Sequence, residues 1–443
     1  MPIRFLDARS RGEAMPHWNS LLTGTLLLLL AITPCAAQQS LTLTLEAAPT
    51  LSDLITEALR SNPLILAARK AVEAAQARII PARSLDDPEL NLESWAIPIS
   101  QPTNLNQANM HMVNLRQRFP FPGKLRLRGE VASQEETMAV ARYRAKEREV
   151  IAAVKKGYYD LFMADRNIQI TNEQLEIHER ALRATEARYT VGKTSQADVV
   201  RAQVEHSDII NRLIVAEQER ESAEAKLNVL LNRPTDARIG RTAELEPSPA
   251  TTLEQNELYR LTIESSPELR EAASGVKRAE LSHELAIRNQ RYPDFMLGLG
   301  YWYTPQGNFQ HTYSGMLTLT IPFFWTKAKH DKEVEEASAQ IGKAEAGYRA
   351  MKNLAFLEVR DSLLKLNAAR KSLTLYRTGL LPLTELSLKA SEAAYQTGRL
   401  EFTGLLEAER ALRDVRLGYY RAVVTLEQSL ADLERAVGRD IFQ

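Results

Sequence analysis

The chain has 443 residues, 44% of them hydrophobic and 25% charged, and its 56 Lys+Arg balance its 56 Asp+Glu to a formal net charge of zero. That composition excludes a disordered or collagen-like chain and supplies ample apolar material for folded structure. An even charge balance with no basic concentration argues against nucleic acid as the principal partner, because phosphate binding calls for a cationic surface.

Arg4, Arg9 and Arg11 precede an apolar run from Leu21 to Ile32, and Pro34-Cys35-Ala36-Ala37 offers small residues before Gln38. This is the pattern of a signal peptide over residues 1–37, so the mature protein is expected to be exported. The run is too short to span a bilayer as a stable helix, and the remaining chain carries no apolar stretch long enough to do so. Passage through a membrane must therefore use strands or a partner. Cys35 is the only cysteine. It is a candidate for lipid attachment, whereas cleavage after Ala37 leaves a mature chain without disulfides or thiolate sites.

Residues 51–82 read as one opening helix, with Leu54, Ile55, Leu59, Leu64, Ile65 and Val72 among many alanines, and the break follows at Ser84-Leu85-Asp86-Asp87-Pro88. Two segments with the period of strands come next. Glu89 to Glu93 alternates, and His111, Val113 and Leu115 alternate with Met112, Asn114 and Arg116 before Phe119-Pro120. From Lys124 to Tyr189 there is no proline and the period is helical, so a helix of about 65 residues, roughly 95 to 100 Å at 1.5 Å per residue, is expected. Val154, Leu161, Ile168, Leu175, Leu182 and Tyr189 recur at seven-residue intervals, a seam that calls for a partner helix. Gly192 turns the chain, and Ser195 to Leu231 returns antiparallel.

The same order then repeats. Ser61-Asn62-Pro63 returns as Ser265-Ser266-Pro267, Phe119-Pro120-Phe121 as Ile321-Pro322-Phe323, and Tyr189-Thr190-Val191-Gly192 as Tyr395-Gln396-Thr397-Gly398, with offsets from 202 (Pro120 to Pro322) to 206 (Gly192 to Gly398). Phe295, Leu297, Leu299, Tyr301 and Tyr303 share one strand face opposite Met296, Gly298, Gly300 and Trp302, and Tyr313 to Ile321 pairs apolar residues with hydroxyls. Val359, Leu366, Leu373 and Leu380 repeat the helical seam, Pro382 interrupts it, and Thr403 to Val437 returns. The chain is thus read as two structural repeats, 51–240 and 256–443, joined by a linker at 241–255 that contains Pro247 and Pro249. Strands of about ten residues with one apolar face suit a tilted crossing of a bilayer. A soluble sheet with one buried face gives the same alternation.

The duplication, the strand pairs, Asp87-Pro88-Glu89-Leu90, the Tyr-x-x-Gly turns and Leu230-Leu231-Asn232-Arg233-Pro234 together resemble the TolC-type outer-membrane efflux proteins. Phe119-Pro120-Phe121-Pro122-Gly123-Lys124-Leu125 further resembles their CzcC-like heavy-metal branch. The resemblance implies a mainly α chain with a small β part: long antiparallel helical hairpins forming an α-barrel in the periplasm, and four transmembrane strands per chain that complete a 12-stranded β-barrel in a homotrimer. It also implies a passive duct exporting small substrates, heavy-metal cations in this branch. The implied partners are a periplasmic adaptor, an inner-membrane RND-type pump and outer-membrane lipid. A multidrug or type I secretion duct shares the fold. A periplasmic coiled-coil adaptor is the reading from another class, and it leaves the two strand pairs unexplained.

No nucleophile elbow, phosphate loop or paired metal motif occurs, so neither enzyme nor cofactor is expected. In Met110-His111-Met112 the histidine points away from both methionines on a strand, which argues against a metal site. His178, His206, His283 and His330 read as solvated helix residues. By the resemblance, acidic residues after the glycine turns narrow the entrance, which makes Asp198, Glu401 and Glu407 gate candidates, with Gly404 standing where a second acid is expected. Arg399 is the candidate basic partner of Asp198. The ordinary alternative is a set of exposed charges near helix starts. The tips around Val191, Gly192, Thr397 and Gly398 are the candidates for adaptor docking.

Overall fold

The computed structural model describes residues 50–100, 102–245, 254–305, 310–321 and 324–441, all within Leu45–Gln443, one of the two compact units into which the chain divides. The expected signal peptide, Cys35, and Pro247 and Pro249 of the expected linker lie outside the described residues.

Helices α1 (Leu51–Ser61), α2 (Pro63–Ala77) and α3 (Ile79–Arg83) occupy the segment expected to form one helix. Pro63 sets the break by pushing Asn62 out of the helical region, and tertiary contacts fasten it. The Asn62 side-chain oxygen caps α2 by accepting from Leu64 N at 2.9 Å, while its amide donates to Leu230 O at 2.8 Å and Ser61 Oγ donates to Leu231 O at 2.7 Å. Pro63 stands in the first turn of α2, where no N–H is required. The end of α5 (Gln196–Leu231) is thereby fastened to the α1–α2 joint, and α2 and α3 continue beside α4 (Lys124–Thr190) beyond it. The second copy has α6 (Gln255–Ser265) and α7 (Pro267–Arg291) with Ser266 as the cap, its Oγ accepting from Leu269 N at 3.3 Å. There Gly438, at φ +86°, closes α10 (Phe402–Val437) so near Ser265 that a Cβ would stand 2.7 Å from its carbonyl oxygen.

Helix α4 runs 67 residues without interruption, whereas its counterpart is split into α8 (Lys327–Leu375), a π-helical segment Tyr376–Leu380, and α9 (Leu381–Gln396). Pro382 explains the split. Its ring crowds the carbonyl one turn earlier, and the wider π turn accommodates it while the helix continues. Contacts place α5 beside α4, α4 beside α10, and α10 beside α8 and α9, while towards the sheet α7 lies between α4 and α8. Two cores repeat each other. In one, Val154, Leu161 and Phe162 pack on Leu227, Leu231 and Leu54. In the other, Val359, Leu363 and Leu366 pack on Leu426, Leu433 and Leu258. Among the described residues no helix is long and apolar enough to cross a membrane.

Strands β1 (Glu89–Trp95), β2 (Met110–Phe119), β3 (Asp294–Tyr303) and β4 (His311–Thr320) form one antiparallel sheet in that order. The β2–β3 ladder, with Leu115 opposite Leu299 and Phe119 opposite Phe295, joins the two repeats at this end of the molecule.

Candidate channel wall and tip turns

Register sorts the sheet into two faces. Leu90, Leu115 and Leu299 align across three strands, as do Leu92, Val113, Tyr301 and Tyr313 across four, and Leu297 faces Leu317. This apolar face is open: Leu92 is 69% exposed and Leu299 70%. Leaving such a surface in water forfeits about 25 cal/mol per Å², so it has the character of a surface for lipid rather than solvent. On the other face, Asn91, Asn114, Gly300 and Ser314 form a rung, flanked by Glu93, Met112, Trp302 and Thr312 on one side and by Glu89, Arg116, Gly298 and Met316 on the other. Gly300 is needed there, because a Cβ would meet Ser314 Oγ at 2.5 Å and Asn114 Oδ1 at 2.6 Å. His111 lies on the apolar face, 2.9 Å from Ser94 Oγ, with Met110 and Met112 on the opposite one, and the described residues contain no cluster of metal ligands.

The sheet is joined to the helices by Lys124, whose buried Nζ bonds Asp294 Oδ1 and Tyr292 O, each at 2.8 Å. Phe121 stacks on Tyr292 at 4.3 Å beside it. The Phe-Pro-x-Pro-Gly-Lys stretch therefore contributes a structural joint.

At the far end the two turns match. Gly192 and Gly398 have φ of +71° and +75°, the left-handed region open to glycine, and each N–H returns to the carbonyl of the preceding tyrosine, Tyr189 at 2.9 Å and Tyr395 at 3.0 Å. Val191 and Thr397 are exposed beside them. Asp198 serves the start of α5: it and Ser195 form a reciprocal capping box, with Ser195 Oγ donating to Asp198 Oδ2 at 2.7 Å. The Ser195 hydroxyl, followed by that of Thr194, holds this carboxyl below the usual carboxylate range. Its nearest cation is Arg201 at 3.7 Å. The expected pair with Arg399 is not made within the chain. Local capping takes Asp198 first, and Arg399 is exposed. Glu401 occupies the cap position of α10 without a side-chain cap bond, and Glu407 is exposed. Leu400 covers Gly404, 2.7 Å from where a Cβ would stand.

The contacts that tie the two hairpins together above these turns lie elsewhere. Arg188 donates to Tyr395 O at 2.6 Å and sits over its ring at 4.7 Å, while Thr185 Oγ1 lies 2.8 Å from the Tyr395 hydroxyl. His178, read from sequence as solvated, is fully buried. Nε2 lies 2.9 Å from Ala202 O and Nδ1 3.4 Å from Glu409 Oε2. The buried Glu205 is shared by Arg410 of α10 and Arg212 of α5. The reason for the misreading is a shift of seam. Here Thr171, Gln174, His178 and Thr185 turn inward, while Leu175 and Leu182 are half-buried and Tyr189 is 46% exposed. The buried row still steps by three, four and seven. That spacing, read without regard to polarity, is the signal that would have found it.

A long two-repeat helical wall carrying a short sheet with one lipid-like face defines a membrane channel component. The profile of the family described as "Outer membrane efflux protein" matches residues 54–233 and 258–439, and the chain belongs to that family. It is a channel protein of the outer membrane with its helical part in the periplasm, and not an enzyme. Among characterised relatives, the cobalt-zinc-cadmium resistance protein CzcC of Cupriavidus metallidurans is 26% identical over 401 residues, covering 90% of each chain. Outer membrane protein TolC of Vibrio cholerae is 23% identical, covering 88% of this chain and 91% of its own. Among solved structures, CusC superposes with a TM-score of 0.76 at 19% identity, covering 88% of this chain and 92% of that one. The open state of the MtrE channel of Neisseria gonorrhoeae gives 0.72 at 21% identity, covering 89% and 90%. The TolC-type fold and the CzcC-like branch inferred from the sequence are both supported.

Proposed function

We propose that the chain forms a homotrimeric, passive exit duct of a tripartite efflux system and that its substrates are heavy-metal cations. The observation that carries the trimer is the two-faced four-stranded sheet, in which, among the described residues, the edge strands β1 and β4 each pair on one side only. A backbone edge in lipid is costly, so the sheet must close, and three copies supply twelve strands. The helical wall supports the same reading. Its lateral members carry exposed apolar side chains, Val200, Val204 and Ile214 on α5 and Leu357, Leu364, Leu383 and Leu386 on α8 and α9, surfaces suited to a neighbouring copy. The two repeats, 51–240 and 256–443 with the linker 241–255, then give a trimer approximate sixfold symmetry at both ends.

The exposed tips at Val191, Gly192, Thr397 and Gly398 are the proposed docking points for a periplasmic adaptor, which couples the duct to an inner-membrane RND-type pump. Asp198, Glu401 and Glu407 with Arg399 form the proposed constriction. Asp198 and Arg399 do not pair with each other within one chain, so an ion pair between them would have to cross to a neighbouring copy. The metal reading rests on the likeness to CzcC over nearly the full length of both chains. Native mass spectrometry of the detergent-extracted protein tests assembly, and a monomeric mass would refute the trimer. Metal tolerance of a deletion strain tests the substrate: sensitivity to cobalt, zinc or cadmium is expected, and sensitivity to drugs alone would turn the assignment to a multidrug duct.

A further inference from the structure

His178 brings three helices together at one point. Its ring belongs to α4, and its two nitrogens face Ala202 O of α5 at 2.9 Å and Glu409 Oε2 of α10 at 3.4 Å. Both partners are acceptors. A neutral imidazole has one N–H, so it satisfies one of them and points a lone pair at the other, whereas an imidazolium donates to both. With an acceptor at each nitrogen, the ring satisfies both partners only while it carries a proton on each.

The surroundings keep the second proton in place. Burial by itself pushes the His178 pKa down, but the Glu409 hydrogen bond, the Ala202 carbonyl and the charges of Glu409 and Glu205 outweigh it and leave the pKa raised. From α5, Glu205 adds negative charge that Arg410 and Arg212 share, and His206 stacks on His178 at 6.4 Å. From α10, Arg413 and Arg416 border the same small cavity as Glu409, with Arg416 held by Glu173 at 2.5 Å. From α9, Leu388 is apolar and the Tyr395 hydroxyl is engaged by Thr185. His178 lies 14 residues before Gly192, roughly 20 Å above the tip at 1.5 Å per residue.

We propose that a single proton shared by His178 and Glu409 latches the α4–α5 hairpin to α10 above the tip turns, and that its loss releases the lower end of the wall. A group whose pKa is raised in the folded state contributes stability that is complete below the ordinary histidine range and is lost as pH rises through the folded value. The latch is therefore closed in acid and opens towards alkaline pH. As a control of the entrance it rests on the duct reading above, but the bond itself can be tested without transport.

Hydrogen exchange of the full-length protein in detergent, measured at pH 6 and pH 9 and corrected for intrinsic rates, reads the latch in segments 196–207 and 402–412. Wild type is expected to open more at pH 9, by about tenfold for each unit of pKa elevation. Glu409→Gln donates its amide to a neutral His178, so it should stay protected at both pH values. His178→Gln should be open at both. A wild type without the pH response, or a Glu409→Gln variant that keeps it, overturns the latch. In planar bilayers the duct is expected to conduct more at pH 9, where the latch is open. A protein that shows the exchange response and never conducts leaves the latch standing and refutes the duct.

Discussion

Leu299 and Ser314 offer a sharp test of which face of the sheet meets lipid. Leu299 is central on β3, in line with Leu115 and Leu90, and 70% exposed. Ser314 lies on the neighbouring rung, opposite Gly300, on the polar face. An arginine placed on the lipid face at mid-bilayer costs about 2–4 kcal/mol, whereas the water-lined face tolerates it at little cost. At 1.36 kcal/mol per decade that is roughly 30- to 1,000-fold in the folding equilibrium of each chain. Leu299→Arg should therefore lower the urea midpoint for unfolding from lipid vesicles and reduce the yield of assembled protein. Ser314→Arg should assemble normally and lower the conductance of the pore. Equal destabilisation by both, or a larger effect of Ser314→Arg, would refute the assignment of faces.

Other expected outcomes follow from single sites. Phe162 is fully buried in the core that joins α4, α5 and α1, so Phe162→Ala should destabilise the periplasmic part by about 3–5 kcal/mol in denaturant unfolding. The double substitution Gly192→Val and Gly398→Val puts β-branched residues at φ near +70°, at a cost of about 1–3 kcal/mol per turn. It should abolish efflux while native mass spectrometry still finds the trimer, and full export by that mutant would refute tip docking. The Asp198 carboxyl is held below its ordinary range, so its cap contributes stability above that range and loses it as pH falls through the lower folded value. Fraying at the start of α5, read by hydrogen exchange, should grow below about pH 4, and Asp198→Asn should remove that pH dependence.

The positions of the strands were legible because their period of two is local. Phe295 to Tyr303 alternates whatever it pairs with, and the structure keeps its apolar set on one face. The extent of α4 was legible for the same kind of reason: between Lys124 and Thr190 there is no proline to stop it. Both tip turns could be placed from Gly192 and Gly398, since a left-handed φ is a property of one residue.

What the chain could not declare in advance was the identity of each helix's neighbours. Pro63 already marks a break after Asn62, but only the structure shows that α5 ends there and that the Leu230 and Leu231 carbonyls take the Asn62 and Ser61 donors. Pro382 announced an interruption, and the structure shows it absorbed by the π turn at Tyr376–Leu380 with α9 running on beside α10. The seven-residue apolar seam identified α4 as a partner-seeking helix, but rotation against α5 and α10 turned Thr171, Gln174, His178 and Thr185 inward instead. Period is written in one segment, whereas burial belongs to the set of surfaces that enclose it. The sequence alone therefore determined strands, helices, turns and their duplication, and only the tertiary structure decided that a histidine read as solvated would sit between two acceptors at the junction of three helices.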